Sequence, residues 1–298
     1  MDYKEKQRKK VIDFRNEVFK DPGGGLFKNL DREFVLKDPT LNLWAGIRED
    51  VIQYFSNNKI PFWDSGCEPT GHLLSSQIAC LNHLYFLRQR KDIASAVLKG
   101  IDSDVKTALI LDNCDGYVDF EVIGSKNYLG EKLHTRGANS TSVDAAMLAE
   151  LNNGKRRLYF IEWKYVETYS KASKAEGESG KTRLGIYQPF LMHPDSPLKV
   201  SNIEGLFTEP YYQLMRQTLL ASEIVKAREY QADSYLHIHA IPKDNLELKN
   251  VNTASGKLIG NTLEQTWKNI LKKPSQYVAI DPQDLLLPEK NVMTVLLT

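Results

Sequence analysis

Residues 156–167, RRLYFIEWKYVE, form the segment that most restricts how this chain can fold. Successive side chains of a strand point to opposite faces, so Glu162 and Lys164 project from the same face as Leu158 and Phe160. The other face is aromatic and aliphatic, and two largely apolar faces are typical of a central strand that is covered on each side. A carboxylate and an ammonium group in such a strand need a compensating environment.

The segments around this strand change from helical to strand periodicity and back. Thr70 is a candidate N-cap for the strongest helix, and the polar linker 168–185 is expected to be mobile. The predicted elements are helices 3–20, 42–57, 70–90 and 91–110, strands 116–124, 141–150 and 156–167, helix 209–230, strand 234–242 and a helix near 262–272.

Composition excludes several classes of protein. The chain has 298 residues, 42% hydrophobic and 26% charged, with a net charge of +1, which is typical of a globular protein. No apolar stretch approaches the roughly 20 residues of a membrane span, and the charged segment MDYKEKQRKK is unlike a signal peptide. We therefore expect a cytoplasmic protein with no membrane contact. The three cysteines lie far apart without CxxC pairing, which argues against a disulfide framework or a zinc site.

Asp144, on the preceding strand, is the charge that can explain Glu162. If Asn153 and Gly154 formed a two-residue turn, Asp144 would lie opposite Trp163, on the wrong face of the sheet. If residues 152–154 form a three-residue loop with Gly154 in the left-handed conformation, Asp144 lies opposite Glu162. We favour this second register because of the side-chain pairs that it creates. It matches Leu148 with Leu158 and Glu150 with Arg156.

Two carboxylates at such a cross-strand position predict a cation site. Their Cβ atoms would lie about 5 Å apart, which is destabilising unless a cation or a shared proton compensates. Mg²⁺ and Mn²⁺ prefer carboxylate oxygens and are commonly completed by substrate phosphate. Lys164 could then deprotonate or orient the attacking water, or stabilise the charge that develops on phosphorus. The constellation is typical of a metal-assisted hydrolase.

The motifs RGANSTSVDAAM and FIEWKY resemble those of the PD-(D/E)XK nuclease superfamily, specifically a bacterial branch, as do HLLSSQIACLNHL and EPYYQLMRQTLLA. The resemblance implies an α/β, restriction-endonuclease-like fold, with an αβββαβ core and a mixed central sheet flanked by helices. It divides a single domain, residues 1–298, into an N-terminal helical extension (1–60), a nuclease-like core (61–245) and a C-terminal accessory segment (246–298). The implied activity is a metal-dependent endonuclease-like phosphodiesterase that acts on nucleic acid, with DNA favoured, and a homodimer is one possible assembly.

The resemblance also assigns roles to individual residues. Asp144 matches the first metal-binding acid, Glu162 the second and Lys164 the catalytic lysine, although Val143 stands where the superfamily name has proline. Gln77 matches a polar residue that faces the metal from the first core helix in some members. A Gln/Tyr-bearing helix after the third strand adds two further candidates, Gln213 as a catalytic residue and Arg216 as a nucleic-acid contact.

Other charged residues are weaker candidates. Glu121 could join the acidic site as a metal ligand or reach solvent at a strand edge. The basic linker could make salt-sensitive contacts with a phosphate backbone through Lys171, Lys174, Lys181 and Arg183. The P-loop-like run AEGESGKT lacks a preceding buried strand, so nucleotide binding there is disfavoured. His237 and His239 share a strand face without a third ligand, which favours a structural role.

Two other functions fit the same residues. The fold could be a non-catalytic nucleic-acid-binding or assembly module in which the three charges form a salt-bridge cluster. The hydrolase could also be directed at RNA. Fold alone does not separate these functions, because function depends on the site.

Overall fold

The computed structural model describes residues 1–64, 66–112, 114–136, 140–169, 172–199, 203–250 and 260–288. The helices are α1 (Tyr3–Phe14), α2 (Arg48–Asn57), α3 (Ser76–Leu84), α4 (Lys91–Ile101), α5 (Gly177–Met192), α6 (Tyr211–Lys226), α7 (Leu246–Lys249) and α8 (Leu263–Ile270). The strands are β1 (Gly25–Phe27), β2 (Leu30–Arg32), β3 (Val105–Leu109), β4 (Asp119–Val122), β5 (Val143–Leu151), β6 (Arg156–Trp163), β7 (Ser234–Ala240) and β8 (Tyr277–Ile280).

A mixed sheet of six strands forms the centre of the fold. β6 pairs antiparallel with β5 and parallel with β7, and β8 adds to β7 in parallel. On its other edge β5 pairs antiparallel with β3 along one half and with β4 along the other. Helices flank this sheet and α1 precedes it, so the predicted α/β, restriction-endonuclease-like fold class is confirmed.

β6 is a central strand buried on both faces, as its sequence predicts. Tyr159 and Ile161 belong to a core between the sheet and α3, α4 and residues of α2. Leu158 and Phe160 belong to a second core between the sheet and α6. Each of these four side chains is at most 1% exposed. Apolar area removed from water on both faces makes this strand a major source of stability.

The β5–β6 hairpin has the register that the sequence favoured. Leu151 donates its N–H to the carbonyl of Lys155 at 2.8 Å, and Gly154, at φ +79°, donates to the carbonyl of Leu151 at 2.9 Å. Residues 152–154 are therefore a three-residue loop that depends on glycine at its left-handed position. Leu148 lies opposite Leu158 and Glu150 opposite Arg156, so both predicted pairs are confirmed.

Two predicted helix starts are wrong. The helix expected over 42–57 begins only at Arg48, after a 3-10 turn that ends at Asn42. Thr70 is not an N-cap, because its hydroxyl accepts the nearby N–H of His72 at 3.2 Å in a local turn. Ser75 caps α3 instead, accepting the N–H of Ile78.

The helix predicted over 91–110 contains a second error. α4 ends at Ile101, and β3 follows after a turn in which Asp102 accepts the N–H of Asp104 at 3.0 Å. Ile101, Val105 and Ala108 continue the helical spacing of the preceding residues across this turn, which explains the overextended prediction. β3 is therefore a fourth strand of the antiparallel half of the sheet.

The linker 168–185 is also different from its prediction. Its second half lies in α5, which begins at Gly177 and continues through Pro189. An ion pair of 2.7 Å between Glu178 and Lys181 supports the first turn. Lys171 lies outside the described residues. The β1–β2 hairpin and β8 were not predicted from the sequence.

Within the described ranges, no helix is both long enough and apolar enough to cross a membrane. The three cysteines are free, in agreement with the absence of a disulfide framework.

Candidate active site

Three adjacent strands each bring one carboxylate to the same height of the sheet. One step beyond the Ala145–Ile161 pair of β5 and β6, Asp144 faces Glu162. Between the Phe120–Ala145 and Val122–Val143 pairs of β4 and β5, Glu121 faces Asp144. By this register Asp144 lies between two other acids, and all three line one cleft, in agreement with the predicted co-facial placement of Asp144 and Glu162.

The backbone of Glu121 adopts a conformation that strands rarely contain. Its φ is +50°, in the left-handed region that favours glycine, although its neighbours on β4 keep the strand register. A residue with a Cβ atom in this region costs on the order of 1 kcal/mol or more, and such strain is concentrated at functional sites. The structure brings Glu121 into the acidic group and not to a solvent-exposed edge, since it is only 7% exposed.

Glu162 is buried and held by three donors. Its Oε1 accepts from Lys164 Nζ at 2.6 Å and from Gln213 Nε2 at 2.8 Å, and its Oε2 accepts from Gln217 Nε2. Gln213 and Gln217 lie four residues apart on α6 and therefore on one face of that helix. These bonds fix the rotamer of Glu162, with its two oxygens directed away from the core.

Lys164 follows β6 directly and is buried as an ammonium group. Its N–H donates to the carbonyl of Ala240 at 2.9 Å, and its Nζ also donates to Gln213 Oε1 at 2.7 Å. Burial by itself would lower the pKa of Lys164, but the negative groups around it, Glu162 foremost, together outweigh burial and hold this pKa well above its usual value. The ion pair and the amide therefore keep this lysine protonated.

Asp144 and Glu121 have only neutral hydrogen-bond partners among the described residues. Asp144 Oδ2 accepts the N–H of Trp163 at 2.7 Å. Glu121 accepts from Gln77 Nε2 at 2.8 Å and from the Ser142 hydroxyl at 3.1 Å. Burial, followed by the charge of Glu162, raises the pKa of Asp144 well above its usual value, and burial also raises the pKa of Glu121. The acidic group holds more negative charge than Lys164 neutralises.

A cleft of about 670 Å³ opens onto the acidic group. Its lining includes all of the predicted catalytic residues and one predicted nucleic-acid contact: Gln77, Asp144, Glu162, Lys164, Gln213 and Arg216. Arg216 is partly engaged, with Nε at 2.9 Å from the Thr141 hydroxyl and a guanidinium nitrogen at 3.5 Å from Glu131. The geometry brings these residues together, and their roles stay predictions.

Three other predicted phosphate contacts do not line the described part of this cleft. Lys181 is exposed on α5 and paired with Glu178, while Lys174 and Arg183 are joined by a 3.1 Å bond from the Arg183 guanidinium to the Lys174 carbonyl. The expected flexible loop is here the beginning of a helix. Contacts between these residues and a phosphate backbone also stay a prediction.

Several residues around the acidic group and in the cleft were missed by sequence reasoning. Gln217 could have been found from its helical spacing to Gln213 in YYQLMRQ, which places both amides on the face that meets the sheet. Other residues of the cleft come from distant segments, so no short motif identifies them. They include Lys4, Arg8, Phe27, Lys28, Phe34, Trp63 and His72.

The donor chemistry of the acidic group fits a hard cation. All three side chains offer carboxylate oxygens, and a cation would offset the cost of burying ionised Asp144 and Glu121, the burial that raises the pKa of both groups. Among the described residues, no group of three or more His, Cys, Asp or Glu side chains is placed so that it could hold a metal ion. The donor type suits Mg²⁺ or Mn²⁺, whereas the placement of these side chains does not form a metal site.

His237 and His239 are buried on β7, and His239 lies beside Glu162 in the parallel ladder. Burial lowers the pKa of His237 to about 3 and lowers that of His239 well below its usual value, so both rings are neutral. His239 Nδ1 lies 2.9 Å from the Tyr277 hydroxyl. This environment agrees with a structural role.

A family model described as REase-ARP, Restriction Endonuclease associating with ARP, matches residues 4–295, which is nearly the whole chain. The match includes every residue of the cleft. No curated protein and no solved structure matches the chain.

Proposed function

We propose that this chain, which belongs to the REase-ARP family, is a metal-dependent nuclease of the PD-(D/E)XK type that hydrolyses phosphodiester bonds, with DNA as the favoured substrate. The description of the family names a restriction endonuclease, which supports an activity of this kind. The observation that carries the proposal is that the half-buried Asp144 and the buried Glu162 and Lys164 line one cleft. Like charges paired across a sheet have no structural benefit of their own.

Asp144 and Glu162, with Glu121 beside them, would hold the Mg²⁺ or Mn²⁺ ion. When bound, such an ion supplies positive charge that offsets the carboxylates and polarises a phosphate oxygen. The bond from Trp163 leaves Asp144 with acceptor capacity, since an ionised carboxylate has about four acceptor positions.

The high pKa of Lys164 favours one of its three expected roles. A lysine that stays protonated cannot take a proton from water, but its ammonium group can stabilise negative charge that develops on phosphorus. Its bonds to Glu162 and Gln213 orient the ammonium group before substrate arrives. We assign Lys164 this electrostatic role.

The amide side chains would act as positioning residues. Gln213 bridges Glu162 and Lys164, since its amide nitrogen donates to the acid and its oxygen accepts from the ammonium group. Gln77 holds Glu121 from the first turn of α3. Arg216, at the edge of the cleft, would contact a substrate phosphate.

The decisive experiment measures cleavage of duplex DNA, single-stranded DNA and RNA with Mg²⁺, with Mn²⁺ and with a chelator. We expect metal-dependent cleavage that Glu162→Gln abolishes and Glu150→Gln, at the other end of the same hairpin, retains. Absence of cleavage of any substrate, or an active Glu162→Gln variant, would contradict the proposal. Cleavage of RNA alone would replace the DNA assignment with the RNA-directed alternative.

The closed ion pair between Glu162 and Lys164 also fits a non-catalytic nucleic-acid-binding or assembly module. A cation that binds only the folded protein must raise its melting temperature. If the protein is a nuclease with this metal site, Mn²⁺ should raise its melting temperature. The Asp144→Asn variant should melt at the same temperature with and without Mn²⁺. Nucleic-acid binding without cleavage and without this thermal shift would favour the module. Size-exclusion chromatography with light scattering would test the proposed homodimer.

A further inference from the structure

One wall of the cleft consists of four aromatic rings, Phe27, Phe34, Trp63 and His72, which we call the aromatic wall. His72 is at its centre, with ring centroids 4.7 Å from Phe27, 5.1 Å from Phe34 and 5.4 Å from Trp63. Burial lowers the pKa of His72 to about 4, so this ring is neutral at physiological pH. The other three rings are inclined to the His72 ring by 66°, 72° and 88°, so the wall is a cluster of uncharged rings packed edge to face.

Cationic side chains border the aromatic wall. Lys4 and Arg8 lie four residues apart on α1 and therefore on one face of that helix. The Arg8 guanidinium lies 4.8 Å from the centroid of the Phe34 ring, and the Lys28 ammonium lies 5.4 Å from that of Phe27. Lys28 is exposed and can reach an anion in the cleft. Positive charge next to aromatic rings complements a ligand that combines phosphate with a flat apolar ring.

A chain of hydrogen bonds connects the aromatic wall to the acidic group. The backbone N–H of Trp63 donates to Gln77 Oε1 at 2.9 Å, and Gln77 Nε2 donates to Glu121 Oε1 at 2.8 Å. One glutamine side chain therefore separates the wall from the acids. A ring stacked on the wall would place the attached phosphate within the same cleft as Asp144 and Lys164.

Trp63 is a partly exposed aromatic residue in the lining of the cleft. Trp63 is 47% exposed and lines the cleft, whereas Trp44 is 58% exposed and lies outside the described lining. A cleft of about 670 Å³ falls within the range of roughly 300–1,000 Å³ that encloses a drug-sized ligand. A single nucleotide belongs to this size class, and its base offers a ring face to stack on.

We infer that the cleft takes an unpaired nucleotide, with its base stacked on Trp63 and packed against the neighbouring Phe27 ring, 5.8 Å from Trp63, and with its backbone phosphates near Lys4, Arg8 and Lys28. The substrate is then single-stranded DNA, or duplex DNA with a locally unpaired or flipped base. In a regular duplex both faces of each base are covered by neighbours, so stacking on a side chain requires an unstacked base. This inference rests on the proposed function, because it places the nucleotide beside the nuclease site.

Binding without cleavage tests the inference directly. Fluorescence anisotropy would compare a labelled short oligothymidylate with a fully paired duplex of the same length, with Ca²⁺ in place of Mg²⁺ and again with a chelator. We expect Trp63→Ala and Phe27→Ala each to weaken binding of the single strand by about 5- to 100-fold, the range of one lost base stack. Trp44→Ala is the matched control and should bind as the parent does.

Tryptophan fluorescence provides a second measurement, which reports on the Trp63 ring directly. Stacking of a base quenches tryptophan fluorescence, so the oligothymidylate should quench the parent and the Trp44→Phe variant, and quench Trp63→Phe much less. A melting curve for each variant separates a lost contact from a lost fold. The inference is overturned if folded Trp63 and Phe27 variants bind the single strand as the parent does, or if the paired duplex binds more tightly than the single strand.

The two proposals fail in different ways. Binding of single strands that depends on Trp63, without any metal-dependent cleavage, supports the nucleotide site and removes the nuclease. Metal-dependent cleavage that is equal in the parent and in the Trp63 and Phe27 variants supports the nuclease and removes the nucleotide site.

Discussion

The two ends of the β5–β6 hairpin carry charged pairs of opposite kinds. At the turn end, Glu150 lies opposite Arg156 and accepts from Lys106 on β3 at 2.7 Å, and the bond from Lys106 lowers the pKa of Glu150. At the far end, Asp144 faces Glu162, and its pKa is raised. The same two strands, in one register, thus hold opposite charges near solvent and like charges in a closed site.

The difference shows which end serves the fold. Opposite charges across a sheet stabilise the register modestly, whereas like charges oppose it. At the far end, burial increases the cost of every uncompensated charge. Packing alone gives a sheet no reason to collect Glu121, Asp144 and Glu162 at one height, and this is why we propose a function for the far end.

The sharpest test compares the two lysines, each of which pairs with a glutamate at one end of the hairpin. Lys164→Ala should lower the cleavage rate by about 10²- to 10⁴-fold, the range for loss of a positioned charge or proton-transfer group. Lys106→Ala should leave the rate unchanged. Single-turnover kinetics measure both, and equal rates in the two variants would remove the functional difference between the ends.

Removal of the Asp144 charge, which lies close to that of Glu162, should stabilise the metal-free protein. Asp144→Asn keeps an acceptor for the Trp163 N–H and should raise the free energy of unfolding by about 1 kcal/mol or more, since each unit of raised pKa costs about 1.4 kcal/mol. Urea denaturation in a chelator measures the change. A variant less stable than the parent would mean that the carboxylate stabilises the fold.

The pH dependence of stability follows from the same raised pKa. Between the unfolded value for Asp144, about 3.8, and its raised folded value, the folded state binds more protons than the unfolded state. The free energy of unfolding of the metal-free parent should therefore contain a component that decreases as pH rises through this window. Asp144→Asn should lose this component, and identical pH profiles for the two proteins would contradict the raised pKa.

Gln77 should have a smaller effect, because it acts through Glu121. Gln77→Ala removes the 2.8 Å bond that orients Glu121, and we expect a decrease in kcat of about 10-fold together with weaker Mn²⁺ binding. Gln77→Glu places a further acid at the site, and it should not restore the rate if the amide donor is what matters. A normal rate and normal Mn²⁺ affinity in Gln77→Ala would exclude Gln77 as a positioning residue.

We expect the smallest effect on stability and cleavage from a substitution at the turn end of the β5–β6 hairpin. Glu150→Gln removes a charge near solvent, and exposed pairs of this kind contribute little to stability. Its melting temperature and cleavage rate should both equal those of the parent. A large loss in either property would show that the turn end also serves the site.

Particular residues show how far sequence reasoning reached. The register of the hairpin was predictable because glycine at the third loop position and four matched side chains point to one pairing. Gln77 and Glu121 could be named as candidates, but their contact could not, because they lie 44 positions apart on a helix and a strand. β3 was missed since its apolar spacing continues the period of α4 across a turn.

The sequence by itself determined a central strand with charges on one face, the acid opposite it and the order of the core elements. Local rules suffice for these features, because side-chain alternation and turn chemistry act over a few residues. Only the tertiary structure showed that Glu121 joins Asp144 and Glu162, that nearby charges keep Lys164 protonated and that four aromatic rings form one wall of the cleft. Each of these depends on burial and charge from segments that only the folded chain brings together, which is where pKa shifts and binding clefts originate.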